Sequence, residues 1–122
     1  MTKTAFLFAG QGAQKLGMAS DLYEKYPIVR ETFEQASSIL EYDIRELIDN
    51  EEDKLNQTRY TQPAILTTSV AIFRLLEEKG YRPDMVAGLS LGEYSALVAS
   101  GALSFEDAVA LVAKRGEFME TA

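Results

Sequence analysis

The fold is decided by the stretch MVAGLSLG at residues 85–92, in which an apolar run leads directly into the pattern Gly-x-Ser-x-Gly. This order predicts a strand, a sharp turn at Ser90 and then a helix. Such a turn forces the serine backbone towards positive φ and holds its hydroxyl clear of the main chain. Gly88 and Gly92 permit the turn, because a β-carbon at either position would collide with the neighbouring strand or the oncoming helix. Ser90 is therefore a candidate nucleophile, and a serine that only caps the helix is the alternative.

A second apolar run, TAFLFA at residues 4–9, ends at Gly10 and is typical of a strand buried on both faces. The long, mainly helical passage between the two runs is the crossover that parallel strands require. The sequence therefore predicts an α/β fold in which these two strands pair in parallel.

Helix signals occupy the passage between the strands. Pro27 suits a first helical turn, and Asp43 can cap the helix that follows. Thr61 with Pro63 is expected to open a longer helix, and the acidic run at 50–53 is expected to be a solvated loop. Apolar residues at helical spacing are expected to face the core: Val29, Phe33, Ala36, Leu40, Leu66, Val70, Phe73 and Leu76.

Two further helices are expected after the second strand. Residues 93–99 predict the first, which Gly101 ends. Ser104 begins a capping box for the second. Four apolar side chains of this last helix are expected to be buried: Ala108, Leu111, Val112 and Met119.

Composition restricts the class of protein. The 122 residues include 12 basic and 19 acidic side chains, a net charge of −7, without a basic patch interleaved with aromatics, so nucleic acid is not an expected partner. The absence of cysteine excludes a disulfide framework. The apolar run at 5–9 is too short for a signal peptide or a membrane span. We expect one domain or part of one, located in the cytoplasm and without membrane contact.

The loop GQGAQ at residues 10–14 follows the first strand directly. Its backbone amides emerge at the carboxyl end of a central strand, where open α/β sheets bind ligands. One interpretation is a glycine-rich turn into a helix that begins near Gly17. The other is a loop that donates an N–H to an oxyanion beside Ser90. A phosphate-binding fingerprint is disfavoured, because the third glycine and the Walker lysine are not at their required spacings.

Four motifs together carry a resemblance. In chain order they are FAGQGAQ at 8–14, TQPA at 61–64, GLSLGEY at 88–94 and KRG at 114–116. The whole chain resembles the malonyl-CoA:acyl carrier protein transacylase family of bacterial fatty acid synthesis, together with its relatives in polyketide synthases.

The resemblance implies a chemistry and a set of roles. In the family, a serine is acylated by malonyl-CoA and passes the malonyl group to the phosphopantetheine thiol of acyl carrier protein. Ser90 would then be the nucleophile, with the backbone N–H groups of Gln11 and Leu91 as the oxyanion hole. Arg115 would hold the malonyl carboxylate, and Gln62 would lie near the active site. Malonyl-CoA is a substrate in this scheme, and neither a cofactor nor a metal is implied.

The sequence departs from the family in two ways. Most members carry histidine before the nucleophile, where this chain has Leu89. Members are also considerably longer, and the chain contains no histidine at all. The resemblance implies that the histidine base and a small ferredoxin-like subdomain lie in a part not present here. We therefore expect residues 1–122 to be the N-terminal part of a large acyltransferase domain with an α/β-hydrolase-like core, inactive alone and partnered by the remaining C-terminal half.

Three other functions stay open at this point. An α/β-hydrolase esterase shares the serine turn but uses water as the acceptor. An acyltransferase module of a polyketide synthase is the second, although Met1 leads almost directly into the first strand, which favours a stand-alone enzyme. The third is a non-catalytic fragment that packs on a partner chain. From the pattern alone, Arg115 would be a surface group and Gln62 a helix-start residue, and Glu93 is expected to be structural.

Overall fold

The computed structural model describes residues 3–121 and shows a helix-rich arrangement on a small parallel sheet. The elements of this part of the chain are β1 Ala5–Phe8, α1 Ser20–Lys25, α2 Pro27–Leu40, α3 Ile44–Asn50, α4 Glu52–Leu55, α5 Thr58–Glu78, β2 Met85–Gly88, α6 Leu91–Ala99 and α7 Phe105–Thr121. The expectation that Met1 starts the chain without a linker falls outside the described residues.

Strands β1 and β2 pair in parallel, in a register that runs from Ala5 opposite Met85 to Phe8 opposite Gly88. The predicted parallel pairing across a helical crossover is therefore confirmed. Both strands end at the same edge of the sheet, because Phe8 and Gly88 are the last residues of their strands.

One face of the sheet packs on α5, where the rings of Phe6 and Phe8 make T-shaped contacts with the Phe73 ring at centroid distances of 6.1 and 6.3 Å. On the other face, Leu7 is 80% and Met85 61% exposed. The prediction of a first strand buried on both faces is wrong for the described residues, because none of their helices covers Leu7 and Met85.

Helix α5 is the centre of the core and contacts α2, α4, α6 and α7. Its buried apolar residues lie against those of the neighbouring helices, and the largest fully buried apolar side chains of the described residues include Val29, Phe33, Ile44, Ile48, Leu55, Leu66, Val70, Leu91, Val109 and Val112. Because α5 is buried along most of its length, core packing holds the helix in place, and its first turn can position the groups that contact it.

Three predictions about the helices are wrong. Helix α5 begins at Thr58 rather than Thr61, and Pro63 lies inside it. The earlier turn is held by the Thr61 hydroxyl, which donates to the Gln57 carbonyl at 2.9 Å. The acidic run at 50–53, expected to be a loop, is divided between the last residue of α3, one connecting residue and the first two residues of the short helix α4, which is anchored by the buried Leu55. A helix near Gly17 is also wrong, since α1 begins at Ser20.

The last helix buries a narrower stripe than predicted. Ala108, Val112 and Gly116, spaced four residues apart, are buried along the contact between α7 and α5. Leu111 and Met119 lie to the side of this line and are each 48% exposed, so their predicted burial is wrong.

The other predicted helix ends, namely the starts of α2 and α7 and the end of α6, agree with the structure. Pro27 is the first residue of α2, and the Ser104 hydroxyl accepts from the Asp107 N–H at 3.1 Å. Helix α6 ends at Ala99, and Gly101 follows with φ of 82°. None of the helices in residues 3–121 is long and apolar enough to cross a membrane.

The cap of α3 provides a test of local stability. The Asp43 carboxylate accepts from the Glu46 N–H at 3.0 Å, at the start of a helix that buries Ile44, Leu47 and Ile48. Asp43→Ala should lower the free energy of unfolding by about 1 kcal/mol, whereas Asp43→Asn, which keeps an acceptor oxygen, should lose much less. Denaturant unfolding followed by circular dichroism measures both. Equal losses for the two variants would contradict the role of the cap.

Candidate active site

Ser90 lies between β2 and α6 with φ of 54° and ψ of −115°. The predicted positive φ is confirmed. Such a conformation in a non-glycine residue costs about 1–3 kcal/mol and persists only where the surrounding structure imposes it. The Ser90 hydroxyl makes no capping hydrogen bond to α6. The alternative of a serine that only caps the helix is therefore excluded.

The two glycines of the turn are required by backbone contacts. A β-carbon on Gly88 would lie 2.2 Å from the carbonyl oxygen of Gly92, at the start of α6. A β-carbon on Gly92 would lie 2.5 Å from the carbonyl oxygen of Phe8, at the end of β1. The predicted collisions with the oncoming helix and the neighbouring strand are both confirmed.

Arg115 reaches this turn from α7. Its Nη2 donates to Ser90 Oγ at 2.7 Å, and its Nη1 donates to Gln62 Oε1 at 2.8 Å. The centre of the guanidinium lies 5.6 Å from the centroid of the Tyr94 ring. Arg115 is thus held by neutral groups on three sides, with one edge directly on the candidate nucleophile.

The charge of Arg115 has no acidic partner within residues 3–121. Two other arginines in the same part of the chain do: Arg45 pairs with Asp49 at 2.5 Å, and Arg59 pairs with Glu120 at 2.5 Å. A half-buried guanidinium beside an exposed hydroxyl, without a carboxylate to neutralise it, favours an anionic ligand.

Gln62 is fully buried on α5, and its amide groups have partners. Its Oε1 accepts from Arg115, while its Nε2 donates to Met119 Sδ at 3.0 Å and lies 3.4 Å from Gln11 Oε1. These contacts orient the amide with its oxygen towards Arg115. Gln62 therefore links the guanidinium to the loop that follows β1.

That loop lies beside the serine turn. A β-carbon on Gly10 would be 3.4 Å from the Leu89 carbonyl oxygen. Within the described residues, neither the N–H of Gln11 nor the N–H of Leu91 donates a hydrogen bond. Two unpaired backbone donors thus belong to the segments that meet at Ser90, which is the composition of an oxyanion hole.

An open cavity of about 600 Å³ adjoins these groups. It is lined by the ends of both strands, by the loop and by the turn, including Gly10, Gln11, Leu89 and Ser90. The Leu89 side chain is 85% exposed at its edge. No group of three or more acidic, histidine or cysteine side chains in residues 3–121 could hold a metal ion.

Sequence reasoning missed several residues of the site. Tyr94 and Met119 contact Arg115 and Gln62, and Thr58 accepts from Gln11 Nε2 at 3.0 Å. Tyr94 was available as a signal, since it lies one helical turn after Ser90. Nothing in the local sequence distinguishes Thr58, because its contact is 47 residues away. Glu93 is exposed in the first turn of α6.

A strained serine between a parallel strand and a helix is typical of domains that use a serine hydroxyl as the nucleophile in acyl transfer or ester hydrolysis. The chain belongs to the acyl transferase domain family, whose match covers residues 5–122.

Individual relatives agree with this family. The chain is similar to malonyl CoA-acyl carrier protein transacylase of Bacillus subtilis (strain 168), with 52% identity over 123 residues, 100% of this chain and 39% of that relative. It is also similar to the crystal structure of MCAT from Streptococcus pneumoniae, with 80% identity and a TM-score of 0.96 over 98% of this chain and 39% of that one.

A third relative is part of a complex. PlMCAT:AntF (holo), a type II PKS acyl-carrier protein in complex with its malonyl-transacylase, matches with 48% identity and a TM-score of 0.95 over 98% of this chain and 40% of that one. The chain therefore spans about two-fifths of the length of the relatives it matches. The resemblance inferred from the four motifs is confirmed.

The glycines provide a test of the serine turn. Gly88→Ala should lower the free energy of unfolding by about 3 kcal/mol, because the added carbon must displace backbone rather than a side chain. Gly101→Ala is the control: its φ of 82° is unfavourable for alanine, but nothing lies within 4 Å of the added carbon, so about 1 kcal/mol is expected. Denaturant unfolding compares them, and an equal loss would show that the close approach at Gly88 is wrong.

Proposed function

We propose that the natural gene product containing this chain transfers a malonyl group from malonyl-CoA to the phosphopantetheine thiol of acyl carrier protein, through an ester on Ser90. The observation that carries the proposal is the 2.7 Å hydrogen bond from Arg115 to Ser90 Oγ. It places an unneutralised positive charge beside the candidate nucleophile, where the free carboxylate of a malonyl group would need one.

In the first half-reaction, Ser90 Oγ attacks the thioester carbonyl of malonyl-CoA. The serine proton passes to a general base, the carbon–sulfur bond breaks, and the proton is returned to the departing CoA thiolate. Arg115 donates to Ser90 Oγ, so the hydroxyl hydrogen is left free to point towards the base. The 122 residues contain no histidine, and the proposal takes the base from elsewhere in the gene product.

The negative charge that develops on the thioester oxygen needs donors. The N–H groups of Gln11 and Leu91 have this role in the proposal, which is supported by their lack of other acceptors in the described residues. Leu91 is also the first residue of α6, where the helix dipole favours negative charge. One such donor is typically worth about 100- to 1,000-fold in rate.

Arg115 selects the substrate in this proposal. A planar guanidinium grips a carboxylate through two parallel hydrogen bonds. When malonyl-CoA binds, its carboxylate takes the edge of Arg115 that bonds Ser90 in the unliganded site. Gln62 keeps the other edge through its 2.8 Å bond. Gln62 thus holds the guanidinium in place while the substrate exchanges for the serine hydroxyl.

In the second half-reaction, the carrier thiol gives its proton to the base and its sulfur attacks the ester on Ser90; the carbon–oxygen bond breaks, and the serine oxygen takes that proton back from the base. The proposed reaction needs no cofactor, since malonyl-CoA is consumed as a substrate. The carrier partner is supported by the name of the Bacillus subtilis relative. A carrier protein of a polyketide synthase is the second candidate acceptor, because PlMCAT:AntF pairs a malonyl-transacylase with such a carrier.

We infer an α/β-hydrolase-like core, supported by the parallel pairing of β1 with β2 and by the strained serine at their shared edge. The two strands of residues 3–121 form one parallel pair, and the ferredoxin-like subdomain that the resemblance implies is not among the elements of these residues.

The nucleophile is tested by intact mass after incubation of the gene product with malonyl-CoA. The wild-type protein should carry a malonyl adduct, and Ser90→Ala should carry none, because the covalent route needs the hydroxyl. Ser95→Ala is the matched control: Ser95 lies on α6, the helix that follows Ser90, but its side chain is fully buried, and its removal should leave the adduct intact. An adduct on Ser90→Ala would falsify the assignment.

The substrate role of Arg115 is tested with two donors. A charge-assisted hydrogen bond contributes roughly 1.5–3 kcal/mol, so Arg115→Ala should lose at least about tenfold in kcat/KM with malonyl-CoA. Acetyl-CoA, which has no free carboxylate, should be spared or used better. Lys114→Ala removes the adjacent exposed cation and should change neither value. Equal losses on both donors would make Arg115 a structural residue.

A further inference from the structure

One short segment, residues 56–59, leads into α5 and forms its start. It is hydrogen-bonded to two parts of the proposed site, the loop at 10–14 and the helix α7 that bears Arg115. Asn56 and Thr58 bond the loop at 10–14, and Arg59 bonds α7. None of the four sequence motifs includes this segment.

On one side, the segment hydrogen-bonds the loop at 10–14, which carries the backbone N–H of Gln11. Gln11 Nε2 donates to Thr58 Oγ1 at 3.0 Å, and Gln14 Nε2 donates to Asn56 Oδ1 at 3.1 Å. Gln14 Oε1 accepts from the Gly12 N–H at 2.8 Å, which closes the loop on itself. Gln11, Gly12 and the alanine after it are exposed. Side-chain hydrogen bonds, rather than core packing, therefore set the position of this loop.

On the other side, the segment holds α7. The N–H of Arg59 donates to Glu120 Oε1 at 2.8 Å, and Arg59 Nε donates to Glu120 Oε2 at 2.5 Å. A β-carbon on Gly116 would lie 2.8 Å from Arg59 Cα and 2.9 Å from the Thr58 carbonyl oxygen. The backbones of α5 and α7 are therefore in contact one residue after Arg115, and the Arg59–Glu120 ion pair joins the same two helices.

The ion pair is well matched to the helix start. An N–H in the first turn of a helix has no partner within its own helix, and the Glu120 carboxylate supplies one from α7. The Arg59 N–H and guanidinium hold the pKa of the Glu120 carboxyl below its usual range. Glu120 is thus ionised, and keeps both hydrogen bonds, at neutral pH.

We propose that residues 56–59 are a positioning segment for two parts of the site. Thr58 positions the loop whose backbone N–H at Gln11 would bind the oxyanion. Arg59, paired with Glu120, positions α7 and with it the Arg115 guanidinium. The inference rests on the proposed function. Gln62 lies one turn further along α5, so one helix makes both the contact that holds the Gln11 loop and the contact that holds the Arg115 guanidinium. Neither Thr58 nor Glu120 touches Ser90, so they act through the groups they hold.

The two arms of the test separate the two halves. Thr58→Val removes the hydroxyl and keeps the shape, so the rate of acylation, kcat, should fall about three- to tenfold with malonyl-CoA and acetyl-CoA alike. Thr58→Ser keeps the hydroxyl and should restore the rate. Glu120→Ala should instead lower the preference for malonyl-CoA over acetyl-CoA about three- to tenfold, with the acetyl-CoA rate retained.

The controls use the same gene product. Glu117→Ala removes a carboxylate from α7, the helix that also bears Glu120. This carboxylate makes no hydrogen bond within residues 3–121, so the acylation rates with both donors should be unchanged. Denaturant unfolding of every variant shows which are folded, and Glu120→Gln replaces Glu120→Ala if the latter is not, with a smaller shift in the same direction.

The outcomes are distinct. A wild-type protein without a malonyl adduct overturns the proposed function itself. The positioning segment alone is overturned if the wild-type protein carries the adduct but the folded variants lower the acylation rates with malonyl-CoA and acetyl-CoA equally, without rescue by Thr58→Ser. The divided pattern, a uniform loss at Thr58 and a loss of preference at Glu120, supports it.

Discussion

The contact between backbones at Gly92 is the constraint on which the site depends. Strand β1 ends where β2 ends, so a helix that follows β2 must cross the carbonyl end of β1. It does so within van der Waals range of Phe8, which leaves no space for a side chain at Gly92. The connection between β2 and α6 is then too short for ordinary backbone angles, and Ser90 takes the strain. Burial of Leu91, which is 1% exposed, holds the first turn of α6 in place.

Helix α5 helps to place a cation, the Arg115 guanidinium, beside this strained turn. Its buried residue Gln62 holds the Arg115 guanidinium, and its first turn holds both the loop after β1 and the helix that bears Arg115. The guanidinium has no carboxylate partner in the described residues, in a chain whose net charge is −7. Neutral hydrogen-bond acceptors and the Tyr94 ring position the cation without cancelling its charge, which leaves it to act on a ligand.

The predicted start of α5 was wrong because contacts between residues far apart in the chain add to the helix preferences of the local sequence. Pro63 is typical of a first helical turn, yet here another turn precedes it. The Thr61 hydroxyl stabilises this turn locally, and Glu120 of α7 adds a distant contact by accepting from the Arg59 N–H. The exposed outer face of β1 is a failure of a different kind. Continuous apolar sequence indicates burial on both faces, but it does not specify which element covers Leu7.

The sequence by itself determined the strand, the turn and the helix around Ser90, and the caps at Asp43 and Ser104. Each depends on backbone preferences and hydrogen bonds within a few residues, so the information is local. It also identified Arg115 and Gln62, but only through the resemblance of four motifs to a family. The tertiary structure alone decided that Arg115 meets Ser90 across 25 residues and Gln62 across 53. These meetings depend on the height and angle at which α7 packs on α5, and helix packing is set by surfaces that no short stretch of sequence contains.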